Sequence, residues 1–389
     1  MIVEYTDQTL NPQRVVDLQC PQTKTDRMSK GVTAFAPGRV EILGNHTDYN
    51  LGVVLSCAIH LGVTVRARQL SDRILEISSK TNHRSVRVDL DHLEPLSDDS
   101  WANYPIGVVK VLQEAGHPLG GMQISITSDL PLGAGLSSSA ALEVATAMVA
   151  NALYSLEIEK MPMAKLCQKA ENEFVGVQSG LLDQASSVFG KKHRLIFLDF
   201  LKVSVGTVLL PPNASLLLLN SGVPHELTGG EYNERRSQCT IAAREMGLAS
   251  LRDATPQSVD RFPLEDVTRR RALHIVGENE RVLQGVEALN CNQLARFGEL
   301  MFASHASSRL NFENSTSHLD ALVEIASRTP GVFGSRLTGG GFGGSTVSLI
   351  ETARADDIIE TIGNQYHQQT GATCTSILTE PSEGARILG

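Results

Sequence analysis

Cysteine is scarce and scattered: six residues (Cys20, Cys57, Cys167, Cys239, Cys291 and Cys374) in 389, with no CxxC pair. That spacing excludes a zinc-finger type of site and a small disulfide scaffold, and it fits reduced, buried thiols. No apolar run approaches bilayer length; the longest, such as LLLL at 216–219, are far too short to span one. The first residues, MIVEYTDQTL, lack the basic-then-apolar pattern of a secretory signal. The net charge is −9, with acids and bases interspersed, so no basic stretch invites a nucleic acid or an acidic membrane surface. There is no 20–50-residue repeat and no low-complexity tract. These absences leave a cytoplasmic globular protein whose partners are small molecules. A monomer is the expectation, although the sequence does not fix an oligomeric state.

What is present suits a folded chain of two domains. Apolar residues make up 41% and charged residues 20%, enough for a sizeable core. VTVRAR (63–68), ILEIS (74–78), SVRVDL (85–90) and MQISITS (122–128) alternate apolar and polar residues as strands do. From about Ser138 to Leu153 the chain is apolar on nearly all sides, which predicts a centrally buried helix. RLIFLDF (194–200) and SLLLLNSG (215–222) read as further strands around the break Pro211-Pro212-Asn213. Helices are expected at about 233–246, 265–286, 291–308 and 317–327. The reading is an α+β architecture divided into residues 1–200 and 201–389.

PLGAGLSSSA (131–140) joins a strand to the buried helix. Gly133 and Gly135 permit unusual backbone angles and close ligand approach. Ser137, Ser138 and Ser139 add hydroxyls, and the helix start turns unpaired N–H groups toward whatever sits there. A phosphate cradle and a serine-capped tight turn both fit these residues. A Walker A loop does not, because no lysine follows the glycines. GGGFGG (339–344) contains a formal GxGxxG, but the strand STVSLI follows it where a dinucleotide fold needs a helix. Its glycines instead let a loop pass close to a ligand or another chain segment, or simply make a turn.

A phosphate cradle implies a metal, usually Mg2+, held by one or two carboxylates and phosphate oxygens. Glu171, in AENEF, with a serine hydroxyl would suit it. Asp183, at the start of a short helix in SGLLDQASSVFG, would then be free to accept or orient a substrate hydroxyl proton. Taken singly, both acids have bland explanations: a solvated helix charge and a first-turn carboxylate. The same holds for Arg39, His46, Asp48 and Asn50 in GRVEILGNHTDYN (38–50), a surface cation, a core histidine and turn residues.

Together these elements resemble the GHMP kinase superfamily and, within it, the galactokinases. APGRVEILGNHTDYNLGVVL (36–55) resembles the sugar signature, LPLGAGLSSSAALEVA (130–145) the phosphate loop and GSRLTGGGFGGSTVSL (334–349) the third motif. WANYPIGV (101–108), SGLLDQASSVFG (179–190) and NSGVPHELTGGEYNERRSQC (220–239) are similar to further pieces. The resemblance runs from about residue 30 to 385 and leaves the first thirty residues unaligned.

It implies a ribosomal-protein-S5-like N-terminal domain and a second α+β domain with an antiparallel sheet, with ATP and sugar meeting between them. It implies phosphoryl transfer from ATP, with Mg2+, to the anomeric hydroxyl of galactose. Asp183 would be the catalytic aspartate, with Arg39 beside it. Asn45, His46, Asp48, Gly180 and Tyr232 would line the sugar pocket. Gly133, Gly135, Leu136, Ser137, Ser138 and Ser139 would hold the nucleotide, and Trp101 would lie near the adenine. Ser139 and Glu171 would hold the metal.

One departure stands out. Galactokinases generally read GRVNLIGEHTDY, whereas this chain has Glu41 for the asparagine and Asn45 for the glutamate. The glutamate at 45 is expected near the sugar's C6 hydroxyl. Losing that charge would let galactose bind through the amide, or would admit a C6 carboxylate such as galacturonate. Like charges ~4 Å apart cost about 4 kcal/mol at an effective dielectric near 20, enough to separate the two substrates. A substrate such as N-acetylgalactosamine or arabinose, or a non-catalytic role as a sugar sensor, also fits the motifs. Glu41 either compensates the lost charge nearby or faces away.

Overall fold

A computed structural model describes residues 31–98, 100–131, 133–223 and 230–388. The first thirty residues, with Cys20, lie outside it, as do Leu132 of the glycine loop and 224–229 of the segment before Tyr232. In chain order the strands of the first half are β1 (Val32–Leu43), β2 (Val53–Gln69), β3 (Ile74–Ser79) and β4 (Arg84–Asp89). Helix α1 (Asn103–Glu114), β5 (Met122–Ser128), α2 (Ser138–Tyr154), α3 (Lys160–Lys169), a π-helical turn (Ala170–Val175) and α4 (Leu182–Phe189) follow. A hairpin, β6 (Arg194–Asp199) and β7 (Ser204–Leu209), ends this half. Then come β8 (Ala214–Asn220), α5 (Gly230–Glu245), α6 (Pro256–Arg261), α7 (Asp266–Asn290), α8 (Leu294–Ser307) and α9 (Ser317–Arg328). The chain closes with β9 (Val332–Thr338), β10 (Ser345–Glu351), α10 (Ala355–Thr370), β11 (Thr375–Thr379) and β12 (Arg386–Leu388).

The strands form two sheets. The first runs β12-β1-β2-β5-β3-β4, with β6 also pairing β2 and β7 pairing β6; only β3 and β5 are parallel. The second is the antiparallel set β11-β8-β10-β9. The division at residue 200 falls in the turn of the β6–β7 hairpin, both of whose strands belong to the first sheet. Sheet membership changes after it, around Pro211–Asn213, where the proline ring and missing N–H end a ladder. The three-residue β12 returns to pair with β1.

Helix α2 packs on β1 and β2, flanked by α1, α3 and α4. Its alanines at 140, 141, 145, 147 and 150 are buried, and such small side chains let the backbone approach the sheet closely. In β8 the run of leucines serves two cores. Leu216 and Leu218 join the large core of the first sheet, while Leu217 and Leu219 face α9 and α10 beside Ile358, Ile362 and Tyr366. A strand covered on both faces reads as a continuous apolar run, which is why LLLL does not alternate. Of the five described cysteines, all unpaired, Cys57, Cys167 and Cys239 are buried as expected; Cys291 is exposed. No described helix is long and apolar enough to cross a membrane.

Candidate active site

The site lies where the two sheets meet. The end of β9 docks on β1 through Thr338, whose hydroxyl accepts from the Glu41 N–H at 3.2 Å and donates to the Glu41 carbonyl at 3.0 Å. Above this seam opens a cleft of about 690 Å³. Arg39, Glu41, Asp48, Ser137, Glu171, Asp183 and Tyr232 all line it, with the glycine loops at 133–135 and 339–344. Its volume falls within the range of small-molecule sites.

Arg39 and Asp183 meet at the floor. The guanidinium donates from Nε to Oδ1 at 2.7 Å and from Nη2 to Oδ2 at 3.0 Å, a two-pronged pair. Nη1 donates to the Gly135 carbonyl at 2.7 Å, and the Ser137 hydroxyl donates to Asp183 Oδ2 at 2.5 Å. Residues separated by up to 144 positions thus form one hydrogen-bonded cluster. Burial works against the Arg39 charge, yet Asp183, Glu41 and Asp48 outweigh it and hold the guanidinium above its ordinary value.

The loop before α2 turns through left-handed angles at Gly133 (φ 70°), Gly135 (φ 71°) and Ser137 (φ 58°). Gly133 and Gly135 adopt that region without strain. Ser137 is the helix cap, so Ser138 and Ser139 sit in the first turn of α2, whose unpaired N–H groups open on the cleft. Leu136 lines the loop and its carbonyl accepts from the Arg39 N–H at 3.1 Å.

Glu171 sits on the π-helical turn, a distortion frequent at functional sites. Its carboxylate accepts from the Ser179 and Ser139 hydroxyls and from Gln184 Nε2 at 2.9 Å. Burial raises its pKa, and no Lys, Arg or His pairs with it among the described residues. Gln184 Nε2 also donates to Glu143 Oε2 at 2.9 Å, and the other Glu143 oxygen is buried without a partner. A carboxylate and a hydroxyl on the cleft wall, with no described cation paired to the carboxylate, fit a small hard cation that also takes phosphate oxygens.

Asp48 opens a short 3-10 turn (Asp48–Asn50) and presents its carboxylate over Gly180. A Cβ at 180 would lie 1.6 Å from Asp48 Oδ2, so any larger residue there would push the Asp48 carboxylate aside. Burial, then Glu41 and Asp183, push Asp48 up to about 7. Tyr232, at the start of α5, stacks at 5.1 Å from His46 and lines the same wall.

Asn45 and His46 also line the cleft, with their polar atoms engaged inside the protein. Both His46 nitrogens are committed: Nδ1 accepts from the Tyr49 hydroxyl at 2.9 Å and Nε2 donates to the Gly340 carbonyl at 3.0 Å. The ring packs on Phe312 and Tyr232, and burial lowers its pKa to about 4. It therefore shapes the pocket as a neutral wall, with no free nitrogen for a hydroxyl. Asn45 is 0% exposed and saturated. Its amide donates to Glu41 Oε1 at 3.0 Å and the Gly339 carbonyl at 2.8 Å, and its oxygen accepts from Asn314 at 2.9 Å. Trp101 lies in the short 3-10 turn before α1, packed against the core.

Residues not singled out in the sequence hold the loop at 44–48 in place. Glu278, on α7, accepts from the N–H groups of Gly44 and Asn45, both at 2.9 Å. Burial opposes its charge, but Arg281 and Arg336 keep it well below the ordinary carboxylate range. Arg336, fully buried on β9, pairs with Glu41 at 3.0 Å. No local pattern signals this network, because its members come from opposite ends of the chain. Glu41 alone carried a signal, its departure from the galactokinase pattern.

Comparison with known proteins places the chain in a family. Residues 24–69 match the galactokinase galactose-binding signature, 103–191 the GHMP kinases N terminal domain and 286–368 the GHMP kinases C terminal family. A galactokinase from Roseiflexus sp. (strain RS-1) is 41% identical over 360 residues, covering 91% of this chain and 92% of its own. One from Haemophilus influenzae is 39% identical over 371 residues, covering 92% and 95%. The crystal structure of Lactococcus lactis galactokinase complexed with galactose superposes with a TM-score of 0.89 at 31% identity, covering 92% of this chain and 95% of that one. Methanococcus jannaschii mevalonate kinase, at 17% identity, 92% and 100% coverage and a TM-score of 0.65, shares the fold. With its two α+β halves and the cleft between them, the chain belongs to the galactokinase family of the GHMP kinases.

Proposed function

We propose that this chain transfers the terminal phosphoryl group of ATP to the anomeric hydroxyl of galactose. The observation that carries the reading is the fork between Arg39 and Asp183, locked to the serine loop at the floor of the cleft. Asp183 accepts the anomeric proton as the sugar oxygen bonds to phosphorus and the bond to the departing ADP breaks. Arg39 keeps that carboxylate aimed and offsets charge in flight. The Gly133–Ser139 loop and the start of α2 cradle the phosphates. Ser139 and Glu171 would hold Mg2+, which neutralises charge on the transferring phosphates. Asp48, with Tyr232 above and Gly180 beneath, accepts from sugar hydroxyls.

A C6 carboxylate is disfavoured. The amide at 45 does not leave the pocket uncharged, since Glu41 touches it and lines the cleft. Galacturonate would bring a second negative charge toward the first. A silent sensor is disfavoured too, because the Arg39–Asp183–Ser137 cluster is complete. ADP release across a dozen sugars, with 31P NMR of the product, tests the reading. Galactose 1-phosphate is expected; a preference for galacturonate, or no turnover with any sugar, would refute it.

The pocket also predicts a pH dependence. Asp48 at about 7 is protonated in mildly acidic solution and then offers one acceptor fewer. Free-enzyme kcat/KM for galactose should rise as pH climbs through about 7, and Asp48→Asn should flatten the profile at a lower level. His46, held near 4, stays neutral throughout. Because the folded Asp48 retains a proton that the unfolded carboxyl loses near 3.8, the same group subtracts stability as pH rises from about 4 to about 7. Initial rates and thermal unfolding between pH 5 and 9 check both signs.

A further inference from the structure

We propose that Glu41 accepts a hydrogen bond from the sugar's primary hydroxyl, and so determines recognition of the end of the sugar opposite the reacting carbon. The inference rests on the galactose reading above.

Glu41 and Arg39 are two apart on β1 in unbroken register (Arg39↔Ala58, Val40↔Cys57, Glu41↔Ser56). Alternation puts both side chains on the cleft face, about 7 Å apart along the strand. Arg39 holds the aspartate that meets the anomeric hydroxyl. Glu41 therefore stands about one pyranose ring away, at the sugar's far end. One of its oxygens is used: Oε1 accepts from Asn45 Nδ2 at 3.0 Å and pairs with Arg336 at 3.0 Å. The other has no hydrogen bond among the described residues and is not a fully buried atom. It is the acceptor left facing the cleft.

Asn45 cannot serve instead. It borders the cleft too, but its amide is spent on Glu41 and Gly339 and its carbonyl on Asn314. The exchange of residue types at 41 and 45 thus reads as one event. The carboxylate and the amide have traded places across a single hydrogen bond, and Arg336 keeps its counter-charge. Burial pushes the Glu41 carboxyl up, while Arg336 and Arg39 pull it toward the ionised form.

The test compares kcat/KM for galactose and 6-deoxygalactose. Losing a hydrogen bond to a charged acceptor costs roughly ten- to a hundredfold, so the native protein should favour galactose by that ratio. Glu41→Gln should cut the ratio at least about fivefold, with KM for ATP unchanged. That variant leaves Arg336 without its carboxylate, which puts its folding at risk. The double exchange Glu41→Asn with Asn45→Glu keeps one carboxylate and one amide in contact, and it should restore the ratio to within about threefold. A native protein that phosphorylates both sugars equally well would overturn the proposal. So would a folded Glu41→Gln with the native ratio, or a folded double exchange that loses it. If galactose itself is not phosphorylated, the functional reading fails first, and the two failures are distinguishable.

Discussion

Replacing Asp183 with Asn removes turnover: kcat is expected to fall about 10²–10⁴-fold, the usual contribution of a positioned proton acceptor. The amide keeps the size of the carboxylate but supplies no charge and no base. It also cannot accept from Arg39 with both atoms, so one prong of the fork is lost. In the proposed arrangement the nucleotide rests on the loop at 133–139 and the start of α2, not on Asp183. Its dissociation constant should therefore change by less than about threefold, within the spread seen for a non-contacting substitution. Single-turnover rates and calorimetric titration with a non-hydrolysable ATP analogue check the two halves. Near-native turnover in the variant would assign the proton acceptor elsewhere.

Arg39→Ala is expected to lower kcat by about 10²–10³-fold, the scale of removing a preorganised charge donor from a reacting centre. Three hydrogen bonds disappear together: two to Asp183 and one to the Gly135 carbonyl. Asp183 loses its aim, and the loop at 133–139 keeps only the backbone bond from the residue 39 N–H to the Leu136 carbonyl as its tether to residue 39. Folding stability should drop by about 3 kcal/mol, the low end for a buried pair that loses one partner, because Asp183 still touches solvent. Arg39→Lys restores charge without the planar fork, so it should recover only part of the rate. Urea unfolding beside steady-state kinetics separates the catalytic loss from the structural one. If Lys and Arg perform alike, the fork geometry is irrelevant to turnover.

Much of the scaffold was legible because its signals are local. The helix from Ser138 is apolar on nearly all sides, and it lies between other helices and the first sheet. β3, β4 and β5 alternate and α7 carries a long amphipathic pattern, and all are present close to the expected bounds. The end of the first sheet was less legible. The β6–β7 hairpin continues past residue 200, and β12 is three residues long, too short for any period to register.

The site divides along the same line. Residue types spoke for the glycine loop, and family resemblance spoke for Arg39 and Asp183, yet only the fold brings them into contact. Expectation and structure part where a polar side chain in a functional motif is occupied by the protein itself. Asn45 and His46 lie in the sugar segment but spend their donors and acceptors on Glu41, Gly339, Gly340, Tyr49 and Asn314. Satisfaction of a buried amide or imidazole depends on partners from the far end of the chain, and no spacing rule reports it.

The central claim is that four remote pieces of chain, at 39, 48, 137 and 183, build one pocket in which a sugar's anomeric oxygen meets a phosphoryl group. A crystal structure with galactose and a non-hydrolysable ATP analogue tests it most directly. The account predicts the anomeric oxygen within hydrogen-bond reach of Asp183, sugar hydroxyls on Asp48, and the terminal phosphate against the serine loop. Galactose bound with its anomeric carbon turned away from Asp183, or the nucleotide seated outside the 133–139 loop, would contradict it.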